Sequence, residues 1–187
     1  MNTPNKLTLL RIILIPLYMC LYICCGRLGL ILAIITFIIA TLTDNLDGYL
    51  ARKNHQVTTF GKLMDPLADK MLIMAAFLCF VEKGIPYVTS GVVMTILARE
   101  LIFTGVRLIA MGENQVIAAS MWGKSKTVSQ FILVLGVMVF DVLKLYLGQF
   151  AQIYDAIILV MVVAATGLTI YSGIDYIVKN RHLISFK

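Results

Sequence analysis

The sequence predicts an all-α integral membrane bundle of six transmembrane helices, and three observations lead there. Hydrophobic residues make up 60% of the 187 and charged residues only 14%, whereas a soluble domain is usually about a quarter charged. Mean hydropathy is +0.91. The apolar residues also fall in long runs of about 20, the length a bilayer core of roughly 30 Å asks of a helix, with short breaks between them.

The first run, Leu7 to Cys25, follows a basic, polar start. Pro16 and the lack of small residues at a cleavage position make it a retained helix rather than a secretory signal. Gly26-Arg27-Leu28-Gly29 reads as a tight turn, because glycine tolerates turn dihedrals, and it joins the first run to the second, Leu30 to Leu50. Helix three is expected over Phe60 to Val81 and helix four over Ile85 to Ala110, parted by Glu82-Lys83-Gly84 and then Pro86. Helices five and six follow as Lys126 to Leu145 and Ala151 to Val178, on either side of Leu147-Gly148-Gln149. No long linker, low-complexity tract or repeat divides the series, so residues 1–187 read as a single membrane domain.

Only one stretch, 156–174, exceeds about 18 consecutive uncharged residues. The other spans must carry charge at their ends or toward an interior, which predicts a polar chamber. Six spans put both termini on one side. Arg27, Lys83 and Lys144 fall on the opposite side, whereas the rest of the 16 basic residues fall at or near the side of the termini. That side is therefore expected to be cytoplasmic. The net charge of +6 reads the same way, as topology and anionic headgroups rather than nucleic acid. Cys20, Cys24, Cys25 and Cys79 lie in apolar runs without metal-ligand spacing and read as small core hydrophobes. His55 and His182, in a polar loop and the tail, are poor ligand candidates, and Trp122 reads as an interfacial anchor.

Four of the ten acidic residues, Asp44, Asp47, Asp65 and Asp69, crowd the end of helix two and the start of helix three. On a helix, Asp44, Asp47 and Ala51 share one face, adjoined by Gly48 and Arg52; Gly61, Asp65 and Asp69 share another at i,i+4 steps. If the two helices pack side by side, four carboxylates converge and repel one another unless cations neutralise them. Hard divalent ions, Mg²⁺ or Mn²⁺, prefer such oxygen ligands, and a pair of them can clamp both the attacking and leaving oxygens of a phosphoryl-type displacement. Gly48, Ala51 and Gly61 leave room for a nucleotide, and Arg52 can fork onto a phosphate. Pro66 is tolerated early in helix three or kinks it. A plainer reading lets the aspartates cap helix ends or pair with Arg52, Lys53, Lys62 and Lys70. Ionisable residues at membrane depth nonetheless mark functional sites by default.

The pattern Asp44-x-x-Asp47-Gly48-x-x-Ala51-Arg52, then eight residues, then Gly61-x-x-x-Asp65-x-x-x-Asp69, resembles the signature of the CDP-alcohol phosphotransferase family at every motif position. The resemblance implies transfer of a phosphatidyl or alcohol-phosphate group from a CDP-linked donor to an acceptor hydroxyl, with release of CMP. By motif position it implies Asp44, Asp47, Asp65 and Asp69 as ligands of two divalent ions, with Asp69 also general base. Asp44, Asp47, Gly48, Ala51, Arg52, Gly61 and Asp65 would line the CDP site, with Thr58 touching the diphosphate. It further implies a homodimer in the bacterial cytoplasmic membrane, working on its cytoplasmic side.

Asn2, Pro4, Asn5, Leu7, Thr8 and Arg11, together with Ala98-Arg99-Glu100, 104–108, 123–127 and 172–176, resemble the phosphatidylglycerophosphate-synthase branch of that family. The branch implies CDP-diacylglycerol as donor and glycerol 3-phosphate as acceptor. An anionic acceptor also suits Arg99 and Arg107, about two turns apart on helix four, and Lys124 and Lys126 in an expected short cytoplasmic loop. Thr8 and Arg11 join them as acceptor-phosphate candidates. Positive-inside anchoring is the competing account of Lys124, Lys126 and Arg11. Two other classes of function remain open at this stage. Another acceptor, such as phosphatidylglycerol, serine or an inositol phosphate, would keep the same motif; a divalent-cation transporter would use the aspartates but leave Gly48, Ala51, Arg52 and Gly61 without a role.

Overall fold

Each apolar run folds as one helix in the computed structural model, which describes residues 3–53, 59–112, 121–146 and 151–179. The elements are α1 (Thr3–Cys24), α2 (Gly26–Lys53), α3 (Thr59–Glu82), α4 (Ser90–Gly112), α5 (Met121–Tyr146) and α6 (Ala151–Lys179); no strand occurs among the described residues. Windows long and apolar enough to cross a membrane lie in α1, α2, α5 and α6, at Leu7–Cys24, Gly26–Thr43, Met121–Tyr146 and Gln152–Val178. The helices outside that set, α3 and α4, are those carrying Lys70, Arg99 and Glu100.

The bundle is built around α1, which packs most extensively on α2 and also on α3; α5 pairs with α6, and α2 and α3 both touch α5. Aromatic rings fill the centre. Tyr18 stacks on Tyr22 at 5.9 Å and meets Phe37 at 5.7 Å, while Phe37 reaches Phe131 at 5.7 Å and Tyr22 reaches Phe80 at 5.6 Å. Those contacts tie α1, α2, α3 and α5 into one core, continued by Leu133, Val137 and Ile158. The outside is apolar as well: Leu9, Ile13 and Leu17 are exposed at successive turns of α1, as are Ile170, Ile174 and Ile177 on α6. Such a surface suits lipid as its solvent. Hydroxyls within the helices turn inward on their own backbones, as when Thr36 and Thr41 donate to the carbonyls of Leu32 and Phe37.

The helix ends depart from the sequence expectation in three places. The reversal after α1 is sharper than a four-residue turn: α2 starts at Gly26, which takes the left-handed φ of 58°. Gly29 is already helical, and a Cβ there would collide with the Leu21 carbonyl, so this glycine allows α1 and α2 to approach closely. At the other hairpin, α4 begins at Ser90 and not Ile85. Gly84 and Tyr87, at φ 66° and 65°, break the chain there, and Thr89 caps the new helix by accepting from the Val92 amide at 3.4 Å. Finally, α5 starts at Met121, so Lys124 and Lys126 lie on a helix and not in a loop. The cysteines also differ from expectation. All four are free, and Cys79 is buried, but Cys20, Cys24 and Cys25 are exposed because they follow the outward side at the end of α1.

Candidate active site

The aspartate motif spans the C-terminal turns of α2 and the N-terminal turns of α3, two helices in contact. Asp44, Asp47, Gly48, Ala51 and Arg52 lie on α2, and Gly61, Asp65 and Asp69 on α3, with Pro66 between those two aspartates. Their side chains, and Thr58 altogether, lie outside the described residues. Among the described residues there is no group of three or more His, Cys, Asp or Glu placed to hold a metal.

What holds the motif end of α2 is clearer. Arg11 of α1 is fully buried and donates from Nε to the Ala40 carbonyl at 3.2 Å. Thr43, also buried, donates to that same carbonyl at 2.7 Å. Ala40 stands one helical turn before Asp44, so α1 fixes α2 just ahead of the motif. Thr8 is buried one turn before Arg11.

Next to the motif along α3 opens a cavity of about 190 Å³. Its walls come from four helices: Lys70, Ile73 and Met74 of α3; Arg99, Glu100, Phe103 and Thr104 of α4; Gly123, Lys126, Thr127 and Gln130 of α5; and Tyr176 of α6. Lys70 directly follows Asp69, and Ile73 is one turn further on, so α3 carries the motif to the cavity wall. Inside, Glu100 accepts from Lys126 Nζ and lies 3.6 Å from Arg99 Nη1, both through the same oxygen, Oε1. Arg99 Nη2 donates to the Ser172 hydroxyl at 3.2 Å, and its guanidinium sits 4.7 Å above the Phe103 ring. Phe103 in turn meets Tyr176 edge-on at 4.6 Å. Gln130 Nε2 donates to Thr169 Oγ1 at 3.0 Å. The cationic wall is thereby tied to α6 at two points and is buried, with Lys126 only 3% exposed. Buried, hydrogen-bonded cations of this kind suit an anionic ligand.

Of the acceptor-phosphate candidates, the structure brings Arg99 and Lys126 together in this cavity. Thr8 and Arg11 do not line it; both are buried on α1, with Arg11 turned to α2. The side chains of Arg107 on α4 and Lys124 on α5 lie outside the described residues. Trp122, on α5, is half exposed and packs edge-on against Tyr171 at 4.8 Å. Sequence reasoning gave no role to Gln130, and saw Lys70 only as a possible partner of the motif aspartates. The signal for Gln130 was its i,i+4 spacing from Lys126 on an apolar helix, which places both on one face.

Comparison with known proteins gives this geometry a family. The profile of the CDP-alcohol phosphatidyltransferase family matches residues 1–171. The chain is 38% identical to a Bacillus subtilis (strain 168) protein named CDP-diacylglycerol--glycerol-3-phosphate 3-phosphatidyltransferase, over 96% of this chain and 95% of that one. A protein of the same name from Haemophilus influenzae is 33% identical over 94% and 91%, and one from Rickettsia bellii is 37% identical over 72% and 76%.

Proposed function

The chain belongs to the CDP-alcohol phosphatidyltransferase family, and we propose that it transfers the phosphatidyl group of CDP-diacylglycerol to glycerol 3-phosphate, releasing CMP. The observation that carries this reading is the buried pairing of Arg99 and Lys126 in a small cavity reached along α3 from the aspartate motif. A donor site at the motif and a cationic pocket next to it are what a reaction between a CDP-lipid and a phosphorylated alcohol needs. The names borne by relatives that align along nearly the whole chain support the same pair of substrates.

On this reading the CDP-lipid lies against α2 and α3, where Gly48, Ala51 and Gly61 leave space, Arg52 meets a phosphate, and Thr58 contacts the diphosphate. The donor set fits divalent metal: four carboxylates, all hard oxygen ligands, come from two helices in contact. Asp44, Asp47, Asp65 and Asp69 would hold two ions, Mg²⁺ or Mn²⁺. Bound there, such ions neutralise the diphosphate and the charge that grows on the departing CMP. Arg99, Lys126, Arg107 and Lys124 hold the acceptor's phosphate and orient its hydroxyl, with Thr8 and Arg11 supporting the N-terminal side. Asp69, which directly precedes Lys70 of the cavity wall, takes the proton of that hydroxyl as it attacks the phosphorus.

The reading extends to topology. All six helices cross the membrane as one domain, residues 1–187, with both termini and the site on the cytoplasmic side, where a lipid-borne donor and a soluble acceptor can meet. The working unit is a homodimer in the bacterial cytoplasmic membrane.

The test is CMP release by purified protein in detergent with CDP-diacylglycerol, Mg²⁺ or Mn²⁺, and a panel of acceptors. Turnover is expected with glycerol 3-phosphate. Folded protein that releases CMP only with phosphatidylglycerol, serine or an inositol phosphate would reassign the acceptor, and no release with any acceptor would remove the enzyme.

A further inference from the structure

Glu100 is an unexpected neighbour for a phosphate. Its carboxylate lines the cavity, is 6% exposed, and should repel an anionic ligand. Yet its Oε1 holds Lys126 and Arg99 together. The two helices it connects, α4 and α5, do not pack on each other among the described residues, so the Glu100–Lys126 bridge crosses the gap that the cavity occupies. Lysine has a flexible four-carbon stem and three donors. Without a fixed partner, Lys126 would have no single position and would be pushed from Arg99 by like charge. We infer that Glu100 is a positioning residue for the acceptor: it fixes Lys126 beside Arg99 so that a phosphate meets two cations already in place. This inference rests on the cavity being the acceptor-phosphate site.

Two physical effects oppose each other here, which makes the inference testable. Neutralising Glu100 raises the positive potential of the cavity, so a residue that merely balanced charge would, once replaced by glutamine, leave phosphate binding tighter. A residue that positions Lys126 would leave it weaker, since a charge-assisted contact misplaced costs about tenfold or more in affinity.

The experiment measures CMP-release kinetics for wild type, Glu100→Gln, Glu100→Asp, Lys126→Met and the Glu100→Gln/Lys126→Met double variant, varying glycerol 3-phosphate and CDP-diacylglycerol separately. Positioning predicts an acceptor KM raised about tenfold in Glu100→Gln, a donor KM that stays put, and partial recovery in Glu100→Asp. It also predicts that Glu100→Gln adds little once Lys126 is gone. An acceptor KM that is unchanged or lower overturns the inference, as do parallel shifts in both KM values or full additivity in the double variant. Should Glu100→Gln not fold, Glu100→Asp alone decides by the same split between acceptor and donor KM. Absence of turnover in the wild type would instead sink the functional reading, so the two failures are distinguishable.

Discussion

The two ends of the bundle use charge differently. At the end away from the motif, acids and bases meet in separate pairs: Lys83 Nζ lies 3.1 Å from Asp141, which also accepts from the Tyr22 hydroxyl at 2.9 Å, and Lys144 pairs with Asp155. These groups are 20 to 34% exposed. They join α1, the turn after α3 and α5 at one point and α5 to α6 at another. At the motif end one carboxylate oxygen is shared by two bases, the three side chains are 4 to 15% exposed, and they face open space. Exposed pairs contribute little and serve as fasteners. A buried cluster is costly to assemble, and on the proposed function that cost serves to hold the acceptor's phosphate.

The comparison can be broken at either end, and the largest effect is expected at the motif. Asp69→Asn should reduce CMP release by about a thousandfold, in the range a lost general base produces, while binding of CDP-diacylglycerol partly survives; equal loss of both would remove the proton-transfer role. Arg99→Leu comes next. Its acceptor KM should rise about tenfold to a hundredfold with the donor KM little changed, and a thermal shift without a kinetic one would make Arg99 a fastener like those opposite.

Smaller effects sharpen the contrast from the other side. Asp141→Asn strips Lys83 and weakens the Tyr22 hydrogen bond, so it should lower stability by about 1 kcal/mol, seen as a lower melting temperature in detergent with both KM values intact. Lys144→Met should do less, about 0.5 kcal/mol or under. A change in acceptor KM from either would contradict the division of labour between the ends.

Much of this was legible in the sequence, and the reasons are physical. Long apolar runs leave a chain in lipid no alternative to helices, so six helices and their approximate limits could be read directly. The start of α4 at Ser90 could not, because it depends on a Thr89 cap and two left-handed residues rather than on hydropathy. Arg99 was legible as a cation in an apolar helix, whereas Lys126 was expected in a cytoplasmic loop and lies on α5 instead. Their partner Glu100 was not assigned, since nothing in spacing links residue 100 to residue 126 until α4 and α5 are set across the cavity. Thr8 and Arg11 illustrate the converse: a basic residue near the start of a first helix looks like an anchor or a ligand, and only the fold reveals Arg11 holding the Ala40 carbonyl.

That last contact bears on how the protein is made. An arginine is expensive in hydrocarbon, and α1 carries Arg11 on a face it cannot shield by itself. The second helix supplies the cover, arriving at once because the reversal between them is a single bend at Cys25 and Gly26. The pair therefore has reason to enter the bilayer as one hairpin, and a substitution at Gly29 that holds the two apart would show first as failed insertion, before any effect on chemistry.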